Sequence, residues 1–148
     1  MLIEQIDKDI KGAMLAKDAD KLRALRGLKA AITLKKTEKP NTVLSEEDVL
    51  SVIQKAIKSR RESADIYKGQ NREDLLKVEM DEIAVLEAYL PQQLSQTEIS
   101  NAILSIINET GATTIKEMGK VMGIATKQLA GKADNAKISA IVRNMLGG

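Results

Sequence analysis

The segment SEEDVLSVIQKAIKSRRESADIY, residues 45–67, decides the fold class of this sequence. Its apolar side chains recur every three or four residues, at Leu50, Ile53, Ile57, Ala64 and Tyr67. This spacing is the period of an amphipathic helix. Ser45 stands before three acidic residues, and a hydroxyl followed by carboxylates is typical of a helix N-terminus. The segment therefore predicts one long helix.

Similar apolar spacing occurs on both sides of this segment. Upstream it predicts two helices, one on Ile6, Ile10 and Met14 and one on Leu25, Leu28 and Ile32. Downstream it predicts a helix from about residue 72 to 90, on Leu76, Ile83, Leu86 and Leu90. The polar stretches KKTEKPNTV, residues 35–43, and KGQN, residues 68–71, are expected to be loops. No parallel-sheet pattern is present, so we predict an all-α chain.

The composition changes at YLPQQLS, residues 89–95, where a proline can end one helix before the next begins. Residues 1–91 hold 17 basic and 17 acidic side chains, whereas residues 111–148 hold 6 and 2. We therefore predict two domains, an N-terminal helical bundle over residues 1–92 and a small C-terminal three-helix domain over residues 93–148.

Helix-capping patterns outline the C-terminal domain. Ser95–Glu98 and Thr114–Glu117 have the spacing of capping boxes, and Asp134 or Asn135 can cap a last helix. A glycine at position 111 is suited to end the first of these helices. The predicted apolar faces of the first and last helix are Ile99, Ile103 and Ile106, and Ile138, Ile141, Val142 and Met145.

The chain has neither cysteine nor histidine. This excludes disulfides, thiolate zinc sites and Ser–His or Cys–His nucleophilic sites. A Ser–Lys or carboxylate mechanism stays open in principle, but we predict no catalytic residue, no metal and no cofactor. Residues 1–14, MLIEQIDKDIKGAM, lack the apolar run of a signal peptide, and no stretch has the ~20 apolar residues of a membrane span. We therefore expect a cytoplasmic protein.

Two charged residues interrupt the apolar stripes of the N-terminal domain. Arg60 lies between Ile57 and Ala64, and Glu79 lies between Leu76 and Ile83. Both side chains can reach water at the edge of a bundle. They can also form an ion pair between helices that sets the register. A catalytic carboxylate is the third interpretation, and we favour the two structural ones.

Glycines are concentrated in MGKVMGIATKQLAGKAD, residues 118–134. A phosphate loop is excluded, because neither Gly119–Lys120 nor Gly131–Lys132 has a glycine five residues earlier or a hydroxyl residue after the lysine. On a helix, three strips result. They are a core stripe (Ile115, Met118, Met122, Ala125, Leu129), a small flank (Gly119, Gly123, Thr126, Ala130) and a lysine strip (Lys116, Lys120, Lys127). The small flank either packs against a neighbouring helix or lets a phosphate backbone approach.

This segment resembles the M-G-x-x-M-G…G-x-A-D signature of the YqeY family and of the tail domain of the amidotransferase B subunit. That enzyme converts Glu-tRNA(Gln) or Asp-tRNA(Asn) to the amide form. The likeness to YqeY proteins covers nearly the whole chain and includes KSRRESADIYKGQNREDL at 58–75, Glu79, Glu82 and residues 89–95. The likeness to the B subunit covers only residues 93–148, approximately, and none of the catalytic domain.

The resemblance implies a tRNA-binding type of module attached to a helical partner domain, and it does not imply transamidation. Carried over by position, it implies RNA contact at Lys116, Gly119, Lys120, Gly123, Gly131 and Lys132, and the lysine strip adds Lys127. We therefore expect a non-catalytic accessory protein that engages tRNA or a tRNA-amidating or aminoacylating assembly, with no DNA, membrane or metal partner. One alternative is a helical protein–protein adaptor without RNA contact. Another is a carbon–nitrogen ligase of the amidotransferase type, with glutamine as amide donor.

Overall fold

A computed structural model describes residues 1–38, 40–41 and 43–147 of the chain. These residues form seven α-helices, one short 3-10 helix and no strand, which confirms the all-α prediction. The chain divides into two compact units, Met1–Leu90 and Pro91–Gly148. The N-terminal unit contains α1 (Leu2–Ala16), α2 (Ala19–Glu38), α3 (Glu46–Gly69) and α4 (Glu73–Glu87). The C-terminal unit contains α5 (Gln96–Thr110), the 3-10 helix (Ile115–Glu117), α6 (Met118–Gln128) and α7 (Asn135–Gly147).

The N-terminal unit is a bundle of four helices. α3 and α4 pack most extensively against each other, α1 packs on α2, and α2 also contacts α3 and α4. Aliphatic side chains spaced by three or four residues supply its core, and burying each one contributes about 1.5–3 kcal/mol. The buried core cluster consists of Ile6, Leu28, Ile32, Leu44, Val49, Val52, Ile53, Ile57, Ile83 and Leu86.

The long helix α3 begins at the predicted position. The hydroxyl of Ser45 accepts a hydrogen bond from the Asp48 N–H at 3.1 Å, and the Asp48 carboxylate accepts one from the Ser45 N–H at 3.0 Å. These reciprocal bonds satisfy amides that the first helical turn leaves without a partner. On its buried face Val49 takes the place expected of Leu50, which is only half-buried.

Two further expectations for the N-terminal unit are wrong. Helix α2 continues through residues 35–38, which were expected to be a loop, and two lysines lie in its last turn, where cations favour the helix dipole. Lys39 and Thr42, in the same expected loop, lie outside the described residues. In α1, Met14 is 52% exposed and Ala13 is buried instead, because Ala13 lies closer than Met14 to the face that carries Ile6 and Ile10.

The C-terminal unit folds around one core. Ser95 and Glu98 form the predicted capping box, with N–H to oxygen distances of 3.0 and 3.2 Å, and the bond from the Ser95 N–H holds the pKa of Glu98 below its usual value. Helix α5 ends at Gly111, whose φ of 71° is the left-handed conformation that favours glycine. The buried cluster consists of Ile99, Ile103, Ile106, Ala112, Val121, Ala125, Leu129, Ala133, Ile138, Val142 and Leu146.

The second predicted capping box does not form. Thr114 makes no side-chain cap, and a 3-10 turn follows it, so α6 begins three residues later than expected. Ile115 therefore lies off the core stripe and is 44% exposed, while Val121 is fully buried. In α7, Leu146 is buried in the place expected of Met145, because it continues the stripe of Ile138 and Val142 at four-residue spacing.

Candidate nucleic-acid interface

The solvent side of α6 carries four of the predicted RNA-contact residues. We call Gly119, Lys120, Gly123 and Lys127 the Lys–Gly face, and all four are exposed. The opposite side of the helix holds Val121 and Ala125, both fully buried. Because an α-helix has 3.6 residues per turn, this burial pattern orients the Lys–Gly face directly away from the core of the unit.

No neighbouring element in the described part of the chain packs on the two glycines of the Lys–Gly face. A Cβ atom added at Gly119 or at Gly123 would meet no atom there within 4 Å, apart from its chain neighbours and the nearby backbone of its own helix. Close packing by a neighbouring helix was one of the two explanations that the sequence left open, and no contact in the described part of the chain supports it. Each glycine costs the helix about 1 kcal/mol relative to alanine, and packing within the described residues does not offset that cost.

The other members of the predicted small flank are less open. The Thr126 side chain is half-buried, and its hydroxyl donates a hydrogen bond to the Met122 carbonyl at 2.8 Å. Ala130 lies beyond the end of α6 and is also half-buried. The flank that faces solvent is therefore limited to the two glycines.

Four exposed lysines of the C-terminal unit are available to an external anion. Lys116, in the 3-10 helix, and Lys132, after α6, are exposed like the two lysines of the Lys–Gly face. Among the described residues, none of these four ammonium groups has an ion-pair partner. Their positive charge is therefore not neutralised by neighbouring carboxylates.

Gly131 has a structural role of its own and lies outside the Lys–Gly face. It is buried, and its φ of 73° is left-handed. Its carbonyl accepts a hydrogen bond from Gln93 Nε2 at 2.6 Å, and the carbonyl of Lys132 accepts one from the Leu94 N–H at 3.0 Å. These bonds tie the start of the C-terminal unit to the turn after α6, so the turn conformation alone explains this glycine.

The chemistry open to the Lys–Gly face is contact with phosphate. Lysines and exposed helix backbone contact phosphate oxygens without reading base sequence. Base stacking is not available here, since Tyr67 and Tyr89 are the two aromatic residues of the chain and both lie in the N-terminal unit. Within the described residues, no cluster of acidic side chains could hold a metal ion, and no helix is long and apolar enough to cross a membrane.

The N-terminal unit contains a buried ion-pair network whose members differ from those that the sequence indicated. The Glu82 carboxylate accepts hydrogen bonds from Arg60 Nε at 2.9 Å and from Arg23 Nε at 2.8 Å. This network links α2, α3 and α4 and confirms that Arg60 forms an ion pair between helices. Its partner is Glu82 and not Glu79, the carboxylate that interrupts the apolar stripe.

A second polar contact ties the ends of the N-terminal unit together. The hydroxyl of Tyr89 donates a hydrogen bond to the Asp9 carboxylate on α1. The pKa of Tyr89 is raised above its ordinary value. Burial of the phenol is the larger cause, and the neighbouring Asp9 carboxylate is the smaller one. The phenol therefore stays protonated and holds residue 89 against α1.

Comparison with known proteins places the chain in a family. It matches the model described as Yqey-like protein over residues 3–146. A relative named altered inheritance of mitochondria protein 41, mitochondrial, from Pyrenophora tritici-repentis is 29% identical, over 99% of this chain and 82% of its own. A relative of the same name from Vanderwaltozyma polyspora is 26% identical, over 93% of this chain and 77% of its own. Another of the same name, from Kluyveromyces lactis, is 33% identical, over 89% of this chain and 69% of its own.

These relatives also correct the predicted location. Their names place them in mitochondria, so the expectation of a cytoplasmic protein is contradicted. The expectation rested on the missing cysteines and on the composition of residues 1–14. Neither property distinguishes the cytoplasm from the interior of an organelle, because a protein can do without disulfides in both.

Since the family model matches the chain nearly from end to end, the chain belongs to the YqeY family.

Proposed function

We propose that this chain is a non-catalytic accessory protein whose C-terminal unit binds the phosphate backbone of tRNA, free or within a tRNA-amidating or aminoacylating assembly. The observation that carries the proposal is the Lys–Gly face. Its two helix glycines have open space before them, and its lysines have no ion-pair partner among the described residues. Membership of the YqeY family and the relatives named above support an accessory role.

The geometry of the face suits a backbone ligand. A helix surface that lacks side chains at Gly119 and Gly123 lets a phosphate come close to the main chain. Lys120 and Lys127 are seven residues apart, which is about 10 Å along the helix axis. They can therefore contact different phosphates, with the open glycine surface beside them.

The expected affinity is modest and depends on salt. A plot of log affinity against log salt concentration has a negative slope, and each phosphate neutralised by a lysine makes this slope steeper by about 0.7 to 0.9. A surface with a few lysines therefore binds weakly at physiological ionic strength. Contact through charge and shape also predicts little discrimination between RNA sequences.

The test is the binding of labelled tRNA to the full chain, followed by fluorescence anisotropy over a range of salt concentrations. The Lys120→Gln/Lys127→Gln variant removes both lysines of the Lys–Gly face. The matched control is Lys137→Gln/Arg143→Gln, which removes the same charge from exposed positions on α7. We expect the face variant to lose about tenfold in affinity and about 1.5 in salt slope, and the control to lose much less.

Two results contradict the proposal. One is the absence of salt-dependent binding by the wild type. The other is an equal loss in the face variant and the control, which means that net charge and not this surface attracts the RNA. In either case the adaptor alternative gains support, because the N-terminal unit exposes large apolar side chains such as Leu15, Leu34 and Val43.

A further inference from the structure

A groove runs between α2 and α3 on the surface of the N-terminal unit, with a volume of about 260 Å³. Four residues of each helix line it, and they are Ala31, Leu34, Lys35 and Glu38 on α2 and Ser51, Val52, Lys55 and Ala56 on α3. The residues from α2 span seven positions, which is about 10 Å along the helix axis. The groove is therefore about two helical turns long.

The groove combines a small-residue floor with one projecting side chain. Ala31, Val52 and Ala56 are buried or half-buried and belong to the core cluster of the unit or pack against it. Leu34 lines the same groove but is 65% exposed and has no place in that cluster. One surface thus carries both an apolar gap and a large apolar side chain that stands out from it.

Charges of opposite sign lie toward the two ends of the groove. The two helices run antiparallel, because a short connection joins them and Gly27, further back on α2, meets Arg60, further along α3. Glu38 therefore lies at the connected end, and Lys55 lies toward the other end. Glu38 pairs with Lys35 at 3.5 Å, an exposed contact that is worth little. Lys55 is exposed and has no ion pair among the described residues.

The size of the groove suits a side chain better than a small ligand. Pockets for small ligands have volumes of about 300–1,000 Å³, which exceeds the volume found here. A cavity of about 150 Å³ is enough for a benzene ring, so one large aliphatic side chain fits. Leu34 is such a side chain, and the same surface offers both charges. The surface is therefore complementary to a second copy of itself, which is the condition for a two-fold symmetric interface.

We propose that this groove is the contact surface between two copies of the chain. The two grooves face each other and run in opposite directions, so that Leu34 of each copy enters the groove of the other. The same arrangement brings Lys55 of each copy to Glu38 of the other. A contact of two turns on two helices is smaller than the ~1,000 Å² of stable complexes, so the dimer is weak. It lies in the unit that does not carry the Lys–Gly face, so the inference goes beyond the proposed function and does not depend on it.

The experiment is sedimentation velocity on the full chain, from about 10 µM to about 1 mM. Leu34→Asp removes the projecting side chain, Lys55→Glu and Glu38→Lys each reverse one charge, and the double variant reverses both. The controls are Leu15→Asp and Lys11→Glu, which make the same kinds of change at exposed positions of α1 outside the groove. Far-UV circular dichroism verifies that each variant is folded.

We expect the wild-type chain to dimerise with a dissociation constant of about 100 µM. Leu34→Asp should weaken the dimer at least about tenfold, because a charge then faces the apolar floor. Each single charge reversal should weaken it about fivefold, because it places like charges opposite each other. The double reversal should restore the wild-type value within about twofold, since the pair forms again with its signs exchanged. The controls should change it less than about twofold.

A cross-link tests the direction of the two grooves. The chain has no cysteine, so an equal mixture of Glu38→Cys and Lys55→Cys chains can form disulfides only at these positions. We expect the mixture to give a covalent dimer faster than either chain alone. Equal rates overturn the proposed arrangement. A chain that stays monomeric, a dimer that Leu34→Asp leaves intact, or assembly beyond a dimer also overturns the inference, and in the first case any occupant of the groove is a different protein.

Discussion

Replacing Glu82 by glutamine tests how the N-terminal unit is held together. The carboxylate is buried and accepts from Arg60 on α3 and Arg23 on α2. Glutamine has nearly the same shape but no charge, and its NH₂ group points a donor at a guanidinium that also donates. The substitution therefore removes the anion and one acceptor while leaving the volume of the core unchanged.

The expected loss follows from the burial of the groups. Removing one partner of a buried ion pair costs about 3–5 kcal/mol, and a hydrogen bond to a charged group is worth about 1.5–3 kcal/mol. The Arg60 side chain is 20% exposed, so water replaces part of the interaction that Arg60 loses. The Arg23 side chain is 50% exposed, so water replaces most of the interaction that Arg23 loses. We expect the free energy of unfolding of this unit to fall by about 2–3 kcal/mol.

Urea unfolding followed by tyrosine fluorescence measures this change selectively. Tyr67 and Tyr89 both belong to the N-terminal unit, so their emission reports on that unit alone. The control is Glu79→Gln, one turn earlier on α4, where a half-buried carboxylate has no ion pair in the described part of the chain. We expect the control to change stability by less than about 0.5 kcal/mol. If Glu82→Gln shifts the midpoint no more than Glu79→Gln, the network does not stabilise the unit.

Three further predictions concern backbone conformation and pH. Gly119→Ala and Gly123→Ala should each raise the stability of the C-terminal unit by about 0.5–1 kcal/mol in thermal unfolding, since their surroundings are open; destabilisation would show an overlooked contact. Gly131→Ala should lower it by about 1–2 kcal/mol because of its left-handed φ, and an unchanged melting temperature would argue against that strain. The raised pKa of Tyr89 means that the unfolded chain loses this proton near pH 10 while the folded chain keeps it. Stability should therefore fall as pH rises above about 10, and Tyr89→Phe should reduce this fall; equal slopes for both chains would contradict the assignment.

Periodicity and capping chemistry predicted most of the fold, because both act over a few residues. The stripe of α3 and the reciprocal bonds of Ser45 and Ser95 follow from local spacing alone. Residues Thr114 to Glu117 have the residue types of a capping box, but the Thr114 side chain makes no capping hydrogen bond. The chain after Thr114 adopts a 3-10 turn, which these residue types do not specify. That turn shifted the start of α6 and moved Ile115 out of the core.

The sequence indicates which residues form the Lys–Gly face, but it does not show whether its two glycines are packed or open. Exposure of the lysines follows from their charge, whereas the space in front of Gly119 and Gly123 depends on which helices pack nearby. The partner of Arg60 was missed for a similar reason. Glu79 and Glu82 are three residues apart on α4, and only the crossing of α3 and α4 decides which of them meets the guanidinium.

The Lys–Gly face is tested most directly by following glycine amides. A ¹⁵N-labelled full chain is titrated with a short RNA hairpin, and the amide resonances of the nine glycines are compared. Gly12 and Gly69 are useful references, because they lie in the N-terminal unit and also have open surroundings. We predict that the resonances of Gly119 and Gly123 shift progressively at low salt and return when salt is added, while those of Gly12 and Gly69 stay in place. Resonances of Gly119 and Gly123 that remain fixed while RNA binds would contradict the proposed interface.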